Sequence, residues 1–307
     1  MDSRRSLAAI GMAALFIVGA CSAAATAAPT PAPATPAPAT EAPSVAPASE
    51  APASVAPAIS VPAAITSAGK LVFCSDVSYA PEEFYGADGT TAQGDDIDIA
   101  TEIAKRFNVT VEIDNTGFDG IIPALKAKKC DLIISGMNDT PERAKEVDFV
   151  DYLSVGQGLL VPAGNPKGIH TLDDLSGKSV AVQLGTTNEL ALKDANTKLQ
   201  AAGKAAIDVQ TFQADTDAFQ QLKLGRVDAY STDSPVVAYY NALPENAGKF
   251  EIGGTPIAPA PIGIAIRKDE ADLKTAVQAA IDGMYADGTL KQILEKWGMT
   301  NAVVLLK

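Results

Sequence analysis

The chain has 307 residues, enough for an export leader followed by two domains. Its formal net charge is −13 and no stretch forms a basic stripe, which argues against a nucleic-acid-binding protein. Apolar residues make up 47 % of the chain, which is ample for a hydrophobic core.

The first 20 residues have the pattern of a secretory leader. Arg4 and Arg5 supply the positive start, and residues 7–20 form an apolar stretch that is short for a membrane-spanning helix. The following Val18-Gly19-Ala20-Cys21 resembles the lipobox of bacterial lipoproteins. This resemblance implies cleavage before Cys21 and a lipid on its sulfur, which would anchor the protein to the outer face of the cell membrane. The alternative is an ordinary leader that is cut near Ala24.

The segment 21–64 consists mainly of Ala, Pro, Ser and Thr with scattered Glu. It has no apolar periodicity and cannot bury a core. We therefore expect a disordered, semi-rigid tether between the lipidated cysteine and the folded part of the chain.

Strands and helices alternate after this tether. Apolar runs predict strands at 71–74, 109–113 and 132–134, and helical spacing predicts helices at 95–106 and from residue 118 to about 126. This is a β-α-β-α-β order, so the strands should be parallel.

The third of these strands opens into Ser135, Gly136 and Asn138. Thr140 then suits a helix N-cap, Pro141 the first helical position, and Arg143 the first turn. Such a turn lies at the carboxyl end of a sheet, where open α/β sheets bind ligands. The guanidinium of Arg143 can grip a carboxylate through two parallel hydrogen bonds, so we expect a site for a small carboxylate-bearing solute. The alternative for Arg143 is a solvated surface charge.

A second unit follows the same alternation. Thr186 and Glu189 have the spacing of a capping box, and the free N–H groups of that helix start suit an anion. Ser234 and Pro235 suit the cap and first position of another helix. The remaining predicted strands are 159–161, 179–182, 209–212, 227–231 and 262–267, and the remaining helices are 219–224, 273–284 and 290–297.

Six runs in this order resemble the bacterial extracellular solute-binding proteins of family 3, which deliver polar amino acids to ABC importers. They begin with Gly94-Asp-Asp-Ile-Asp-Ile-Ala and Gly117-Phe-Asp-Gly-Ile-Ile-Pro, and their full extents are 94–104, 117–125, 131–143, 185–187, 225–229 and 287–297. The resemblance covers residues 68–300.

The resemblance implies an α/β, two-lobed periplasmic-binding-protein-like (type II) fold with two hinge crossovers. Lobe 1 would comprise 65–153 and 260–307, and lobe 2 would comprise 154–259, with hinges near 151–155 and 258–262. The implied protein is an extracytoplasmic, monomeric binding protein rather than an enzyme. Its partners would be a free polar amino acid and the permease subunits of an importer.

The resemblance also implies roles for individual residues. Arg143 would bind the ligand α-carboxylate and Asp233 the α-ammonium group. The other residues carried over are expected to touch the same zwitterion: Ser135, Gly136, Asn138, Thr186 and Thr187. The residues expected to surround the ligand side chain are Tyr79, Phe118, Asp76 and Gln183. Each of these has a structural alternative, as a cap, a turn residue, a core aromatic or a solvated strand end.

The sequence departs from the family pattern at three places. Pro-Phe-Glu is usual after the first tyrosine, but Pro81 is followed here by Glu82, Glu83 and Phe84. Asp95 replaces an aromatic or aliphatic residue, and Asn138 replaces Thr or Ser. We expect these departures to leave Asp76 and Glu82 near the cleft entrance, where the extra negative charge would favour a neutral or cationic ligand side chain over an acidic one.

An exported protein favours a disulfide between Cys74 and Cys130. However, Cys74 is expected near the exit of its strand and Cys130 at the entrance of a neighbouring one, whereas bridged cysteines need Cα atoms within about 7 Å. We therefore expect two unpaired core cysteines, with the disulfide as the alternative. His170 is the one histidine and suits a surface loop, so we expect no metal site and no cofactor.

Two further function classes share the fold. Some exported enzymes, such as cyclohexadienyl dehydratases, resemble this chain, and Glu82 would be the candidate acid or base. A ligand-sensing module of a receptor would bind its ligand in the same way. Such modules are usually fused to a membrane helix, which we do not expect here.

Overall fold

The computed structural model describes residues 58–299 and 303–305. The predicted leader, Cys21 and most of the predicted tether lie outside the described residues. Packing begins within the range expected for the tether, because Ile59 and Val61 already lie against the core. Within the described chain, no helix combines the length and the apolar character that crossing a membrane requires.

The described residues form a mixed α/β structure. The helices are α1 (Ala63–Ala68), α2 (Asp95–Arg106), α3 (Ile121–Lys126), α4 (Thr187–Ala201), α5 (Asp215–Lys223), α6 (Ser234–Ala242), α7 (Ala271–Ala286) and α8 (Thr289–Lys296). The strands are β1 (Lys70–Ser75), β2 (Ser78–Tyr79), β3 (Glu83–Tyr85), β4 (Ala92–Gln93), β5 (Thr110–Asn115), β6 (Leu132–Ile133), β7 (Val147–Pro162), β8 (Ser179–Gln183), β9 (Asp208–Phe212), β10 (Ala229–Asp233), β11 (Phe250–Ile252), β12 (Ile257–Arg267) and β13 (Val303–Leu305). Short 3₁₀ turns cover Phe118–Gly120, Arg143–Lys145, Leu172–Leu175 and Pro244–Asn246.

Most of the strands belong to one sheet with the order β5-β1-β6-β12-β7-β10-β8-β9, and β11 and β13 also pair with β7. The predicted parallel pairing is confirmed, because β1 runs parallel to both β5 and β6. At the other end, β8 runs parallel to β9 and β10. A separate small sheet, β2-β3-β4, was not expected from the sequence.

The molecule has two lobes, each with its own apolar packing. In the first lobe, β1, β5 and β6 pack against α2 and α3, and α7 and α8 pack onto α2. In the second lobe, β8, β9 and β10 pack against α4 and α5, and α6 covers β7 and β10. The carboxyl ends of β1 and β6 therefore face those of β8 and β10 across a cleft.

The long strands β7 and β12 connect the lobes. They pair antiparallel, with register shifts between Ile257 and Ala260 and between Ile262 and Gly263. The expected hinge segments 151–155 and 258–262 lie opposite each other within these two strands. The exact limits of the lobes, 65–153 with 260–307 and 154–259, stay a prediction.

The helix predicted after Thr140 is wrong in extent. The chain makes only the single 3₁₀ turn Arg143–Lys145, although the Thr140 hydroxyl does accept a hydrogen bond from the Arg143 N–H at 3.2 Å. The cap is present, but apolar alternation starts β7 at Val147, so the chain continues as a strand. The cap of α6 is also one residue earlier than predicted, at Asp233.

The expectation of unpaired cysteines is wrong. Cys74 and Cys130 form a disulfide with Cα atoms 5.6 Å apart. Strand β6 has only two residues, and Cys130 precedes it directly after the turn that ends α3. Because α3 covers this face of the sheet, both cysteines lie in one apolar cluster with Ile121 and Leu125. The sequence argument placed Cys74 and Cys130 at opposite ends of neighbouring strands, but Cys74 lies beside Ile133, only three residues from Cys130.

This disulfide yields a stability prediction. The bridged residues are 56 positions apart, and closing a loop of that size typically stabilises a fold by about 2–4 kcal/mol. Urea denaturation with dithiothreitol should therefore show a lower midpoint than without it. The double substitution Cys74→Ser and Cys130→Ser is the control, and its midpoint should not respond to the reductant. An unchanged wild-type midpoint after complete reduction would contradict a stabilising role.

Candidate binding cleft between the lobes

Four strand ends converge on one cavity. Asp76 follows β1, Gly136 and Asn138 follow β6, Gln183 ends β8 and Asp233 ends β10. The cavity encloses about 290 Å³ of non-atom space, including its mouth. Its lining includes all but one of the predicted site residues and two that were not predicted: Asp76, Tyr79, Glu83, Phe118, Gly136, Asn138, Arg143, Gln183, Thr186, Thr187, Asn188 and Asp233.

Arg143 reaches across this cavity from the first lobe. Its Nη1 donates to the carbonyl oxygen of Asn138 at 2.9 Å, and its Nη2 donates to the carbonyl oxygen of Gly185 at 3.2 Å. Its Cζ lies 5.2 Å from the centroid of the Phe118 ring, which is cation–π distance. Burial lowers the pKa of Arg143, whereas the negative charge of Asp233 raises it.

Gly136 brings the backbone of the first lobe close to the cavity. Its φ of +47° is in the left-handed region, and a Cβ at this position would lie 2.8 Å from the Tyr79 ring. Its N–H donates to Asp96 at 2.8 Å, which fixes the turn to the start of α2. Only glycine fits both the backbone conformation and the aromatic neighbour.

The second lobe presents the start of α4. Thr186 caps this helix, because its hydroxyl accepts from the Glu189 N–H at 3.2 Å and donates to the carbonyl oxygen of Gln183 at 2.8 Å. The next hydroxyl, of Thr187, donates across the cleft to Asn138 Oδ1 at 2.8 Å. The predicted capping function of Thr186 is therefore present, and the free N–H end of the helix faces the cavity.

Asp233 lies on the same side as α4. The residue is 2 % exposed, and its carboxyl group accepts a hydrogen bond from Asn188 Nδ2 at 2.9 Å. The backbone N–H of Asp233 donates to the Tyr79 hydroxyl at 3.3 Å. Burial raises the pKa of Asp233, and the contacts with Asn188 and Tyr79 and the positive charge of Arg143 oppose that rise. Arg143 and Asp233 thus present opposite charges to one space.

A hydrogen bond between side chains also joins the two lobes. Gln183 Nε2 donates to Asp76 Oδ2 at 2.7 Å, and the same oxygen accepts from the Phe118 N–H at 2.9 Å. Burial raises the pKa of Asp76, and these donors oppose the rise. Together with the Arg143–Gly185 and Thr187–Asn138 bonds, this contact places the lobes in a closed arrangement.

Ser135 does not line the cavity. It is buried behind it, where its hydroxyl accepts from the Asp76 N–H at 3.0 Å and donates to Glu83 Oε1 at 2.7 Å. Ser135 therefore positions Asp76 and Glu83 rather than facing the cavity itself.

Sequence reasoning missed Glu83 and Asn188. Asn188 lies one residue after Thr187, so the predicted helix start was the available signal. Glu83 is fully buried, and burial raises the pKa of its carboxyl group well above the usual range. The signal for Glu83 was the departure at Pro81-Glu82-Glu83, from which the sequence analysis predicts a position near the cleft for Glu82 instead.

The prediction that Glu82 lies near the cleft entrance is wrong. Glu82 is 2 % exposed and does not line the cavity. The backbone explains this placement, because the Asp96 N–H donates to the Glu82 carbonyl oxygen at 3.1 Å and holds the residue beside the start of α2. Within the described residues, the carboxyl oxygens of both Glu82 and Asp95 have no hydrogen-bond partner.

His170 is exposed, as expected for a surface loop. Over residues 58–299, no group of three or more His, Cys, Asp or Glu side chains is arranged to hold a metal ion.

The chain resembles proteins of known family and structure. Residues 71–300 match the model of the family described as bacterial extracellular solute-binding proteins, family 3. The L-cystine-binding protein TcyJ of Escherichia coli strain K12 is 32 % identical over 234 residues, covering 76 % of this chain and 84 % of TcyJ.

Solved structures of amino-acid-binding proteins are also similar to this chain. An ancestral arginine-binding protein bound to arginine is 40 % identical, with a TM-score of 0.68 over 75 % of this chain and 98 % of that one. The ancestral amino acid-binding protein AncCDT-1, a precursor of cyclohexadienyl dehydratase, is 39 % identical, with a TM-score of 0.69 over 76 % of this chain and 97 % of that one. The predicted two-lobed, type II periplasmic-binding-protein-like fold is confirmed.

The buried Glu82 yields a pH prediction. Burial, followed by the charges of Asp95 and Asp96, raises the pKa of Glu82 well above 4.5, so the folded protein keeps a proton that the unfolded chain releases. The free energy of unfolding should therefore fall as the pH rises above about 4.5, until the pKa of the folded state is passed.

Glu82→Gln should remove this contribution. We expect a melting temperature a few degrees above wild type at pH 7 and a shallower decline between pH 5 and 8, measured by circular dichroism. The exposed Glu142→Gln is the control and should follow wild type. Equal slopes for Glu82→Gln and wild type would show that Glu82 is ionised in the folded state.

Proposed function

The chain belongs to the bacterial extracellular solute-binding proteins of family 3, and we propose that it captures one polar amino acid and delivers it to an ABC importer. It is a solute-binding protein that works outside the cytoplasm, as its relatives do. The observation that carries the finer proposal is that Arg143 and Asp233, one from each lobe, line the same cavity.

A free amino acid fits this pair of charges. The Arg143 guanidinium can donate two parallel hydrogen bonds to the α-carboxylate, and the Asp233 carboxylate can accept from the α-ammonium group. The start of α4 at Thr186 and Thr187 adds N–H donors and a positive dipole end on the carboxylate side. We assign Gly136 and Asn138 to the same zwitterion, because both line the cavity beside Arg143.

The ligand side chain would lie among Phe118, Tyr79, Asp76 and Gln183. Three carboxyl groups line the cavity, those of Asp76, Glu83 and Asp233, against the single guanidinium of Arg143. One carboxyl group serves the α-ammonium group, and burial disfavours the charged form of Glu83, so Asp76 is the acid that favours a neutral or cationic side chain over an acidic one. The arginine-bound ancestral relative supports the cationic class.

Closure would complete the site. The amino acid binds first to the lobe that carries Arg143, and rotation about β7 and β12 then brings Thr187 and Asp233 onto it. Expelling water strengthens the charge-assisted hydrogen bonds, since they then act in a medium of lower dielectric constant. The closed shape is the form that the permease would recognise.

The similarity to the precursor of cyclohexadienyl dehydratase is the reason to test an enzymatic function as the alternative. Glu82, the candidate acid, is buried outside the cavity lining and so does not carry that alternative. Turnover of prephenate or arogenate by the purified protein would establish it.

The lipid anchor on Cys21 and the monomeric state are part of the same proposal. Cys21→Ala should move the protein from the membrane fraction to the soluble extracellular fraction in a strain that processes lipoproteins. Size-exclusion chromatography with light scattering gives the oligomeric state.

The ligand class is tested by a thermal-shift screen. A ligand far above its dissociation constant adds about 3–4 kcal/mol of stability. L-arginine, L-lysine and L-histidine should therefore raise the melting temperature more than L-glutamate does, because the acidic cavity wall disfavours binding of L-glutamate. A larger shift with L-glutamate than with L-arginine would contradict the assignment of the acidic cavity wall.

Arg143→Ala should leave the fold intact and weaken amino-acid binding by about a hundredfold or more, because a buried carboxylate would lose its charged partner. Isothermal titration calorimetry measures this. Lys145→Ala is the matched control, since Lys145 is an exposed cation in the same 3₁₀ turn. Unchanged affinity in Arg143→Ala would remove this residue from the site.

A further inference from the structure

Three aromatic rings meet at the edge of the cleft. The Phe84 ring, on β3, lies 5.7 Å from the Tyr239 ring, on α6, with an interplanar angle of 53°. The same Phe84 ring lies 5.7 Å from the Trp297 ring in an edge-to-face arrangement at 82°. Both geometries are within the range in which aromatic pairs attract each other.

One of these two contacts crosses between the lobes. Phe84 and Trp297 belong to the first lobe, because β3 packs on α2 and the Trp297 Nε1 donates to Asp98 of α2 at 2.7 Å. Tyr239 belongs to the second lobe, because α6 packs on β7 and β10. The Phe84–Tyr239 contact therefore exists only while the lobes are closed.

The rings are separate from the ligand cavity. Phe84, Tyr239 and Trp297 do not line it. Tyr239 and Trp297 instead line an apolar groove of about 520 Å³, where Pro81 of the first lobe faces Pro235 of the second. Any effect of these rings on binding must act through closure.

The position of Phe84 follows from the departure in the sequence. The usual family order after this proline is Phe-Glu, but here Glu82 and Glu83 precede the aromatic residue. Glu82 is buried beside α2, and the ring of Phe84 faces outward to Tyr239 instead. The altered order therefore places an aromatic ring at position 84, where it meets the second lobe.

We propose that Phe84, Tyr239 and Trp297 form an aromatic clasp that shifts the open–closed equilibrium towards the closed form and so sets amino-acid affinity from outside the cavity. This rests on the proposed function. A clasp made only in the closed form stabilises closed molecules over open ones, and it strengthens apparent affinity because the ligand is held by both lobes only in the closed form. Loss of one aromatic pair corresponds to about a threefold to tenfold weaker affinity.

The test uses Trp297, the single tryptophan of the chain, as the reporter. L-arginine is titrated into the wild type, Tyr239→Ala, Tyr239→Phe and Tyr85→Ala while tryptophan emission is recorded. Tyr239→Ala should need about three to ten times more L-arginine for half-saturation. Tyr239→Phe keeps the ring, and Tyr85 is an exposed residue of the same strand, so both should match wild type. Equal midpoints for Tyr239→Ala and wild type would overturn the clasp.

A second measurement separates this proposal from the proposed function. If neither the tryptophan emission nor the melting temperature of the wild type responds to L-arginine, the ligand assignment has failed, and the clasp is judged by small-angle X-ray scattering without added amino acid. Tyr239→Ala should then have a larger radius of gyration than wild type and Tyr239→Phe, because fewer molecules are closed. Identical radii for all three would overturn the clasp, and melting curves check that each variant is folded.

Discussion

Ligand recognition depends on two groups of opposite charge, Arg143 and Asp233, that face one closed cavity and stay free to bind a ligand. Arg143 and Asp233 make no ion pair with each other. Arg143 is instead satisfied by the carbonyl oxygens of Asn138 and Gly185, and Asp233 by the amide of Asn188. Neutral dipoles stabilise a buried charge without cancelling it. The sheet serves this arrangement, because the parallel strands of each lobe end at the cleft and deliver one charge from each side.

Asp233 is one of several buried carboxyl groups in this part of the molecule. The others are Asp76, Glu82, Glu83, Asp95, Asp96 and Asp215. Burial raises the pKa of each of them, to about 6 for Asp96 and about 8 for Asp215, while Arg143 is the one cation that lines the cavity. Several of these acids share hydrogen bonds with hydroxyl groups, as Asp96 does with Tyr152 and Asp215 with Tyr230. Because burial favours the neutral form of these groups, ionising them costs stability as the pH rises.

The sequence was informative wherever a local pattern determined the answer. Helical spacing predicted α2 with the observed bounds, and strand–turn signals placed Arg143, Thr186 and Asp233 at strand ends that the structure brings together. The helix predicted after Thr140 is a local error, because β7 begins only a few residues after the cap. The other errors involve contacts between distant segments. The disulfide of Cys74 with Cys130 depended on the pairing of β1 with β6, and the burial of Glu82 depended on a backbone contact with α2. The Phe84–Tyr239 contact, which no prediction covered, joins residues 155 positions apart. Neither periodicity nor capping signals carry such information.

The central claim is that one amino acid is recognised by both ends of its zwitterion. Isothermal titration calorimetry of the wild-type protein with L-arginine, agmatine and Nα-acetyl-L-arginine tests it most directly, because agmatine lacks the α-carboxylate and the acetylated form lacks the α-ammonium charge. We predict that L-arginine binds and that each analogue binds at least about a hundredfold more weakly, since either Arg143 or Asp233 would be left buried without its partner. Agmatine or Nα-acetyl-L-arginine binding as tightly as L-arginine would contradict the account.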